Sequence, residues 1–318
     1  MYAFCYTNLC LFKTPLKMKV LITGASGLIG QRLSKMLSDK GYEVAHLVRK
    51  PVLGNRFKQY GWNLQTGEID AGCIDRTEAI IHLAGASVVS DKWTRQRKIE
   101  IIKSRTDSIK LLYSVISKHE NKVGVCISAG GIGYYGDRGA EILTEDSIPG
   151  NDFLSSSCIE WEEAVNTGKE LGLRICQLRT GMVLSSAGGA LKELEKTIKL
   201  GLGAPLGRGT QYMSWIHIDD LCRIYIKAIE NKLYSGIYNA VAPNPVINEE
   251  FTRILAAVLR KPLILPHVPE LAMQLILGER KHVVLDSDNV SNEKLIKMGF
   301  EFQFKLVSAA LIDIYAHT

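Results

Sequence analysis

The chain is expected to fold as an α/β protein: a Rossmann-like doubly wound parallel sheet with a smaller α-rich C-terminal part. Three observations predict it. A short apolar run at residues 19–23 ends in a glycine-rich turn and a helix start. Apolar runs of this kind then alternate with helix-period stretches as far as residue 180. Past residue 180 glycines and prolines punctuate the chain instead.

Each element has its own warrant. Residues 19–23 (KVLIT) are almost continuously apolar, as in a strand covered on both faces. Helical spacing follows over 28–39, and Gly41 supplies the usual stop. Residues 43–48 (EVAHLV) and 79–83 (AIIHL) read as further strands. Over 94–119, Ile99, Ile102, Ile109, Leu112 and Ile116 fall on one face of a long helix. A strand at 123–128, a helix at 153–171 and a strand at 174–179 complete the repeat. Short loops between such elements mean right-handed crossovers and parallel neighbours. Further on, 214–218 and 236–241 read as strands and 219–230 as a helix. Residues 248–259 read as a helix with Asn248 as its N-cap. Helical patterns return over 270–277, 291–298 and near the C-terminus.

Three parts are expected. Residues 1–17 form a leader, disordered or the product of an early start, with Met18 as the true beginning. Residues 18–180 form a dinucleotide-binding domain. Residues 181–318 form a smaller substrate-binding part, from which the 214–241 strand and helix are free to return to the first domain. Within it, 268–318 stands as a module of its own.

Composition narrows the function. The 318 residues are 46% apolar and 23% charged, as in a soluble globule. No apolar run reaches the length of a membrane-spanning helix. The net charge of +6 is spread along the chain, which suits phosphates and other small anions but not a nucleic-acid face. The seven cysteines are scattered without metal-ligand spacing, so reduced thiols, a cytoplasmic setting and no metal site are expected.

The strongest chemical signal is Thr23-Gly24-Ala25-Ser26-Gly27-Leu28-Ile29-Gly30, placed between a buried strand and a helix. Gly24 permits the turn, Gly27 lets backbone approach a diphosphate, and Gly30 lets the helix pack on the sheet. The open N–H groups of the helix then hold the anion, which makes Thr23, Gly24, Ser26, Gly27, Leu28, Ile29 and Gly30 candidate cofactor contacts. The second strand ends in Val48-Arg49-Lys50, where an acidic residue would favour NAD. An arginine fork there pairs with a 2′-phosphate, so NADP(H) is the expected cofactor, with Arg49 and Lys50 at the phosphate. The alternative is a solvated strand end.

These residues carry a resemblance. With His82-Leu83-Ala84-Gly85-Ala86 and Trp215-Ile216-His217-Ile218-Asp219-Asp220, the glycine turn resembles the extended short-chain dehydrogenases/reductases of the NAD-dependent epimerase/dehydratase superfamily. Trp93, Ser104-Arg105, the run from Gly133 to Gly139 (GYYGDRG), Leu178-Arg179-Thr180-Gly181, residues 201–207 and residues 239–246 narrow it. They are similar to the SDR39U-like group, whose C-terminal module has no assigned function. The resemblance implies that Leu83, Ala84 and Gly85 also line the cofactor. Arg105, on the long helix, is a candidate contact to the cofactor phosphates or the substrate, with a solvated helical face as the alternative.

It also implies a catalytic Tyr with a Lys four residues later, the lysine lowering the phenol so that it acts as a base. No tyrosine in this chain has that lysine. The two slots fall on Leu154 and Cys158, and the usual serine slot falls near Gly130. Ser128, Tyr134 and Tyr135 are the candidate replacements, with Arg138 four residues after Tyr134. Arg208 is the candidate clamp for a substrate phosphate or carboxylate, with a solvated loop charge as the alternative. His82 and Cys158 read first as buried structural groups, and His217, Asp219 and Asp220 as a helix cap and its first-turn acids.

Two functions fit. One is an NADP-dependent oxidoreductase or epimerase-like isomerase on a small carbonyl or sugar-derived substrate, anionic ones included. The other is a non-catalytic regulator that senses the dinucleotide. Neither a nucleic-acid nor a membrane partner is expected, and oligomeric state is not legible.

Overall fold

The computed structural model describes residues 17–316. The expected leader, apart from the backbone of Lys17, lies outside the described residues.

The order is β1 (Lys17–Thr23), α1 (Leu28–Asp39), β2 (Tyr42–Val48), β3 (Lys58–Asn63), β4 (Glu68–Ile69), β5 (Thr77–His82), α2 (Arg95–Lys118), β6 (Val125–Gly131), α3 (Phe153–Asn166) and β7 (Arg174–Thr180). Then come β8 (Met182–Leu184), α4 (Ala190–Lys199), β9 (Tyr212–Met213), β10 (Trp215–His217), α5 (Ile218–Glu230), β11 (Gly236–Ala240) and β12 (Val246–Ile247). The chain closes with α6 (Asn248–Val258), α7 (Glu270–Leu277), α8 (His282–Leu285), α9 (Glu293–Lys297) and α10 (Val307–Ala316).

Eight strands form one sheet in the order β11-β7-β6-β5-β1-β2-β3-β4, parallel throughout except for β4. Strand order reverses between β1 and β5, the place where open α/β sheets form their ligand crevice at the carboxyl ends of the strands. Both faces are covered, which is why the strands read as apolar runs rather than alternating ones. On one face Leu33 and Leu37 of α1 meet Leu221 and Tyr225 of α5. On the other, Ile109, Leu112 and Ile116 of α2 meet Trp161 and Val165 of α3. A third cluster, with Leu191, Trp215, Phe251, Leu255 and Leu311, joins α4, α6 and α10 beside the sheet.

Several expectations are corrected. β3 and β4 extend the sheet past β2, although KQYGWN has too much polarity and a glycine to announce a strand. Ile99 is 38% exposed, and the buried face of α2 starts at Ile101 instead. The cap of α6 is Ile247, not Asn248. Asn248 is the first helical residue, and its side chain accepts from Leu206 N at 2.7 Å, tying the helix to the preceding loop. The glycine-rich stretch after Thr180 holds β8 and α4, which local spacing did not reveal. β11 pairs with β7 at the edge of the main sheet.

Candidate functional site

The crevice floor is built by the ends of β1 and β5. Gly24 sits at φ +66°, and a Cβ there would meet Leu83 O at 2.6 Å, so only glycine allows the two strand ends to approach. Gly27 N donates to Gly24 O at 3.0 Å, closing the turn. A Cβ on Gly30 would strike Ala25 Cα and Gly24 O, both at 2.6 Å, so this glycine seats α1 on the turn. Gly27 differs. It is exposed, has an ordinary φ of −76°, and its added Cβ would meet only Gly24 O at 3.2 Å. The crevice thus presents the first turn of α1 with no side-chain cap over it, and unshared N–H groups at a helix start attract anions. Ser26 is exposed beside it, while Leu28 and Ile29 are half-buried.

Behind the turn runs a chain of buried polar groups. Thr23 Oγ1 accepts from Leu83 N and Ala84 N, both at 3.1 Å, and lies 2.9 Å from His82 Nδ1. With its lone pairs so engaged, the threonine hydroxyl donates to the imidazole. His82 Nε2 then donates to Ser108 Oγ at 3.2 Å, and Ser108 donates to Arg105 O at 2.9 Å. Burial lowers His82 to about 4, consistent with a neutral ring used on both sides. His82 is therefore a brace between β1, β5 and α2.

Arg105 leans over the crevice. Its Cζ is 3.0 Å from where a Gly85 Cβ would stand, and its guanidinium lies 4.9 Å over the Trp161 ring. It donates to Ile101 O at 2.8 Å, and no carboxylate among the described residues pairs with it. Leu83 and Ala84 are half-buried and Gly85 exposed along the same edge. At the end of β2, Arg49 and Lys50 are exposed. Arg49 borders a hollow shared with Gly61, Trp62, Asn63 and Asp70, where β3 and β4 supply the far wall.

The slots for acid–base chemistry are filled by groups of another kind. Leu154 and Cys158 lie on the face of α3 turned to the end of β6. Leu154 Cβ is 3.3 Å from the Cβ position of Gly133, and Cys158 Sγ is 3.6 Å from Gly131 O. Burial pushes the Cys158 thiol up to about 12, so it is neutral. Ser128 is fully buried and donates to Ala129 O at 2.9 Å.

The two tyrosines differ sharply. Tyr135 is fully buried; its hydroxyl donates to Asn239 Oδ1 at 2.6 Å and accepts from Arg179 Nη1 at 3.0 Å. Burial pushes its phenol up to about 12. Arg179, itself 1% exposed, grips Glu162 by two bonds of 2.7 and 2.9 Å. Tyr134 is half-buried with its ring 3.4 Å over the Arg179 guanidinium and edge-on to Tyr135. Sequence spacing gave no sign of this pair, since its partners are 17 residues apart on different elements. The available signal is an arginine placed well inside a strand of a sheet expected to be covered on both faces (RICQLRT), because a buried charge demands a partner.

Elsewhere the placements are plainer. Arg208 is 87% exposed on the side chain and stands 4.0 Å from Glu270. His217 caps α5, its Nδ1 accepting from Asp219 N at 3.1 Å, and Asp219 pairs with Arg32 of α1 at 2.6 Å. Past α7 the chain crosses to the loop after β5: Arg280 Nη1 donates to Val89 O at 2.8 Å and Lys98 pairs with Glu279 at 2.5 Å. Among the described residues, no group of three or more potential ligands is arranged for a metal, and no helix is long and apolar enough to cross a membrane.

Comparisons with known proteins follow this geometry. Residues 20–240 match the model of the NAD dependent epimerase/dehydratase family, and residues 268–314 match a domain of unknown function, DUF1731. The chain is 34% identical over 310 residues to the Arabidopsis thaliana epimerase family protein SDR39U1 homolog, chloroplastic, covering 95% of this chain and 88% of that one. It is 31% identical to human epimerase family protein SDR39U1, covering 94% and 100%. The crystal structure of the human protein (isoform 2) with NADPH superposes at a TM-score of 0.84 with 28% identity, covering 95% of this chain and 100% of that chain. A nucleoside-diphosphate sugar epimerase from Corynebacterium glutamicum superposes at 0.75 with 34% identity, covering 92% of this chain and 57% of that chain.

Proposed function

The chain is a member of the NAD-dependent epimerase/dehydratase family, and from that premise we propose that it is an NADP(H)-dependent reductase of small carbonyl or sugar-derived compounds. The observation that carries this reading is the uncapped start of α1 at the strand-order reversal, with Gly27 open to solvent and Arg49 exposed at the end of β2.

In this reading the backbone from Gly24 to Gly30 holds the diphosphate, and Arg49 and Lys50 hold the 2′-phosphate. Leu83, Ala84, Gly85 and Arg105 border the remainder. Arg105 is apt because a guanidinium without a carboxylate partner, already partly desolvated, gains most from an arriving phosphate. When bound, the nicotinamide supplies or accepts a hydride. Residues 18–180, together with β11 and α5, bind the dinucleotide, and the rest of 181–318 closes on substrate. The wall of Leu154, Cys158, Gly131 and Gly133 excludes water and packs an apolar flank of the substrate, while Tyr134 forms the next stretch of wall. A cytoplasmic setting remains part of the proposal.

One observation favours the sensing alternative: Leu154 and Cys158 occupy the usual acid–base slots with groups that carry no charge. Two measurements separate the readings. Energy transfer from tryptophan to NADPH reports binding, with NADPH expected to bind more tightly than NADH. Oxidation of NADPH is then followed against a panel of uncharged and phosphorylated aldehydes, ketones and nucleotide sugars. Binding without turnover of any member points to the sensor, and equal affinity for NADH and NADPH overturns the cofactor assignment.

A further inference from the structure

Between Glu270 and Leu285 the chain runs as a strap held at both ends. Only Met273 of this stretch is buried, while Leu271, Leu275 and Ile276 are 78%, 86% and 66% exposed. At the near end, Gly207 N donates to Val268 O at 2.9 Å and Val268 N donates to Pro205 O at 2.8 Å. At the far end, Gln211 Nε2 donates to Val284 O at 3.3 Å. Ser287 N then donates to Asp137 Oδ1 at 3.2 Å, and Ser287 Oγ to Gly139 O at 2.5 Å.

Arg280 and Ser287 fix where the strap passes. Arg280 holds Val89 O, in the loop after β5, and Ser287 holds Asp137 and Gly139, in the loop after β6. β5 and β6 are parallel neighbours, so both loops leave the sheet at its carboxyl edge. The first loop opens with Leu83, Ala84 and Gly85 of the cofactor edge, and the second with Gly133 and Tyr134 of the wall. The strap therefore spans from one side of the crevice to the other. Its hold on the β5 side is light. Besides the Arg280 bond there is the Glu279–Lys98 pair, 58% and 31% exposed, and exposed pairs are weak. A hollow of about 250 Å³ lies between residues 92–94 and residues 275–279 of the strap. Just before these contacts Gly278 sits at φ +57° and ψ −134°, a backbone that L residues avoid. An added Cβ there would meet nothing within 4 Å, so the glycine serves the bend and not the packing.

Resting on the reading that the crevice holds NADP(H), we propose that the strap is a gate over its nicotinamide end, hinged at Gly278 and latched by Glu279 and Arg280 on Lys98 and Val89. The gate sets the rate at which the dinucleotide enters and leaves. With the latch made, the strap joins the cofactor edge to the wall and encloses the nicotinamide. With the latch broken, rotation about Gly278 lifts residues 279–283 off the loop after β5, while the ties at Val268 and Ser287 stay fixed. Such motions belong to the microsecond-to-millisecond range. Glu279 and Arg280 hold protein groups and not ligand, so the latch is equally strong over an empty and a filled crevice. A latch of that kind moves both rate constants together and leaves affinity unchanged. The strap lies within residues 268–314, the DUF1731 match, and gives that module a task.

The test uses the full chain in stopped flow, with energy transfer from tryptophan to NADPH as the signal. Mixing gives the association rate constant, and a chase with excess NADP⁺ gives the dissociation rate constant. Glu279→Lys, which sets two cations face to face, is expected to raise both by about fivefold or more, with Kd within about threefold of the wild type. Lys98→Glu combined with Glu279→Lys restores the pair with its charges exchanged and is expected to bring both back toward the wild type. Gly278→Ala, which touches no partner, is expected to raise both as well. A thermal melt accompanies each variant. Wild-type rate constants in the folded single variants, or a double variant as fast as Glu279→Lys, overturn the gate and leave the cofactor assignment standing. A change in Kd carried by one rate constant alone makes Glu279 a ligand contact and also overturns the gate. A folded wild-type protein that gives no transfer signal overturns the cofactor reading, and the gate with it.

Discussion

Gly27→Glu is expected to separate ligand binding from folding. The backbone there is ordinary, at φ −76°, and an added Cβ would touch only Gly24 O at 3.2 Å, so the variant folds. A carboxylate at the start of α1 is stabilising by about 0.3–1 kcal/mol, so the melting temperature should hold or rise slightly. The same carboxylate stands where a diphosphate must settle. At ~6 Å and an effective dielectric near 20, repulsion from one phosphate charge is about 3 kcal/mol. That corresponds to a Kd raised on the order of 100-fold, before any steric exclusion. The assay is a fluorescence titration with NADPH beside a thermal melt of the same samples. An affinity within about threefold of the wild type, on a folded protein, would refute the diphosphate site and the cofactor assignment that depends on it.

The other predictions test different parts. Gly24→Ala is expected to lower stability by about 2 kcal/mol or more, because a left-handed residue gains a Cβ 2.6 Å from Leu83 O; a urea titration measures it. Arg49→Asp should reverse the preference for NADPH over NADH, and an unchanged ratio of Kd values would place Arg49 in solvent only. Arg179→Met strands the buried Glu162 carboxylate and should cost about 3–5 kcal/mol in chemical denaturation, whereas changes at exposed Arg208 should cost almost nothing. Burial depresses both His46 and His82 to about 4 from 6.5, so the unfolded chain binds more protons below 6.5. Stability is therefore complete above pH 6.5 and is lost as pH falls toward 4, by about 3 kcal/mol per histidine; melts across that window, with and without His46→Gln, check the slope.

What was legible in the chain followed the range of the forces involved. Helix α1 runs from Leu28 to Asp39 and α7 from Glu270 to Leu277, as their spacing predicts, because apolar period and end signals are local. The glycine turn was legible for the same reason. β3 was not: Tyr60 and Trp62 are buried only because α2 and the 3₁₀ turn at Ala71–Ile74 come to cover them. Asn248 looked like a cap by type, but its amide was recruited by Leu206 of the preceding loop and Met213 of β9. At the site, Tyr134 and Tyr135 are identical neighbours in sequence. Tertiary contacts alone divide them, burying one hydroxyl against Arg179 and Asn239 and laying the other ring on the guanidinium.

The brace formed by Thr23, His82 and Ser108 has a consequence for titrations of coenzyme affinity. Because both imidazole nitrogens are engaged and the ring stays neutral until about 4, this part of the protein takes up no proton under mildly acidic conditions. A phosphate monoester, by contrast, gains its second proton near pH ~6. Any weakening of NADPH binding between neutrality and mild acid should thus follow the ionisation of the ligand's own 2′-phosphate, and NADH, lacking that group, should bind with a nearly flat profile.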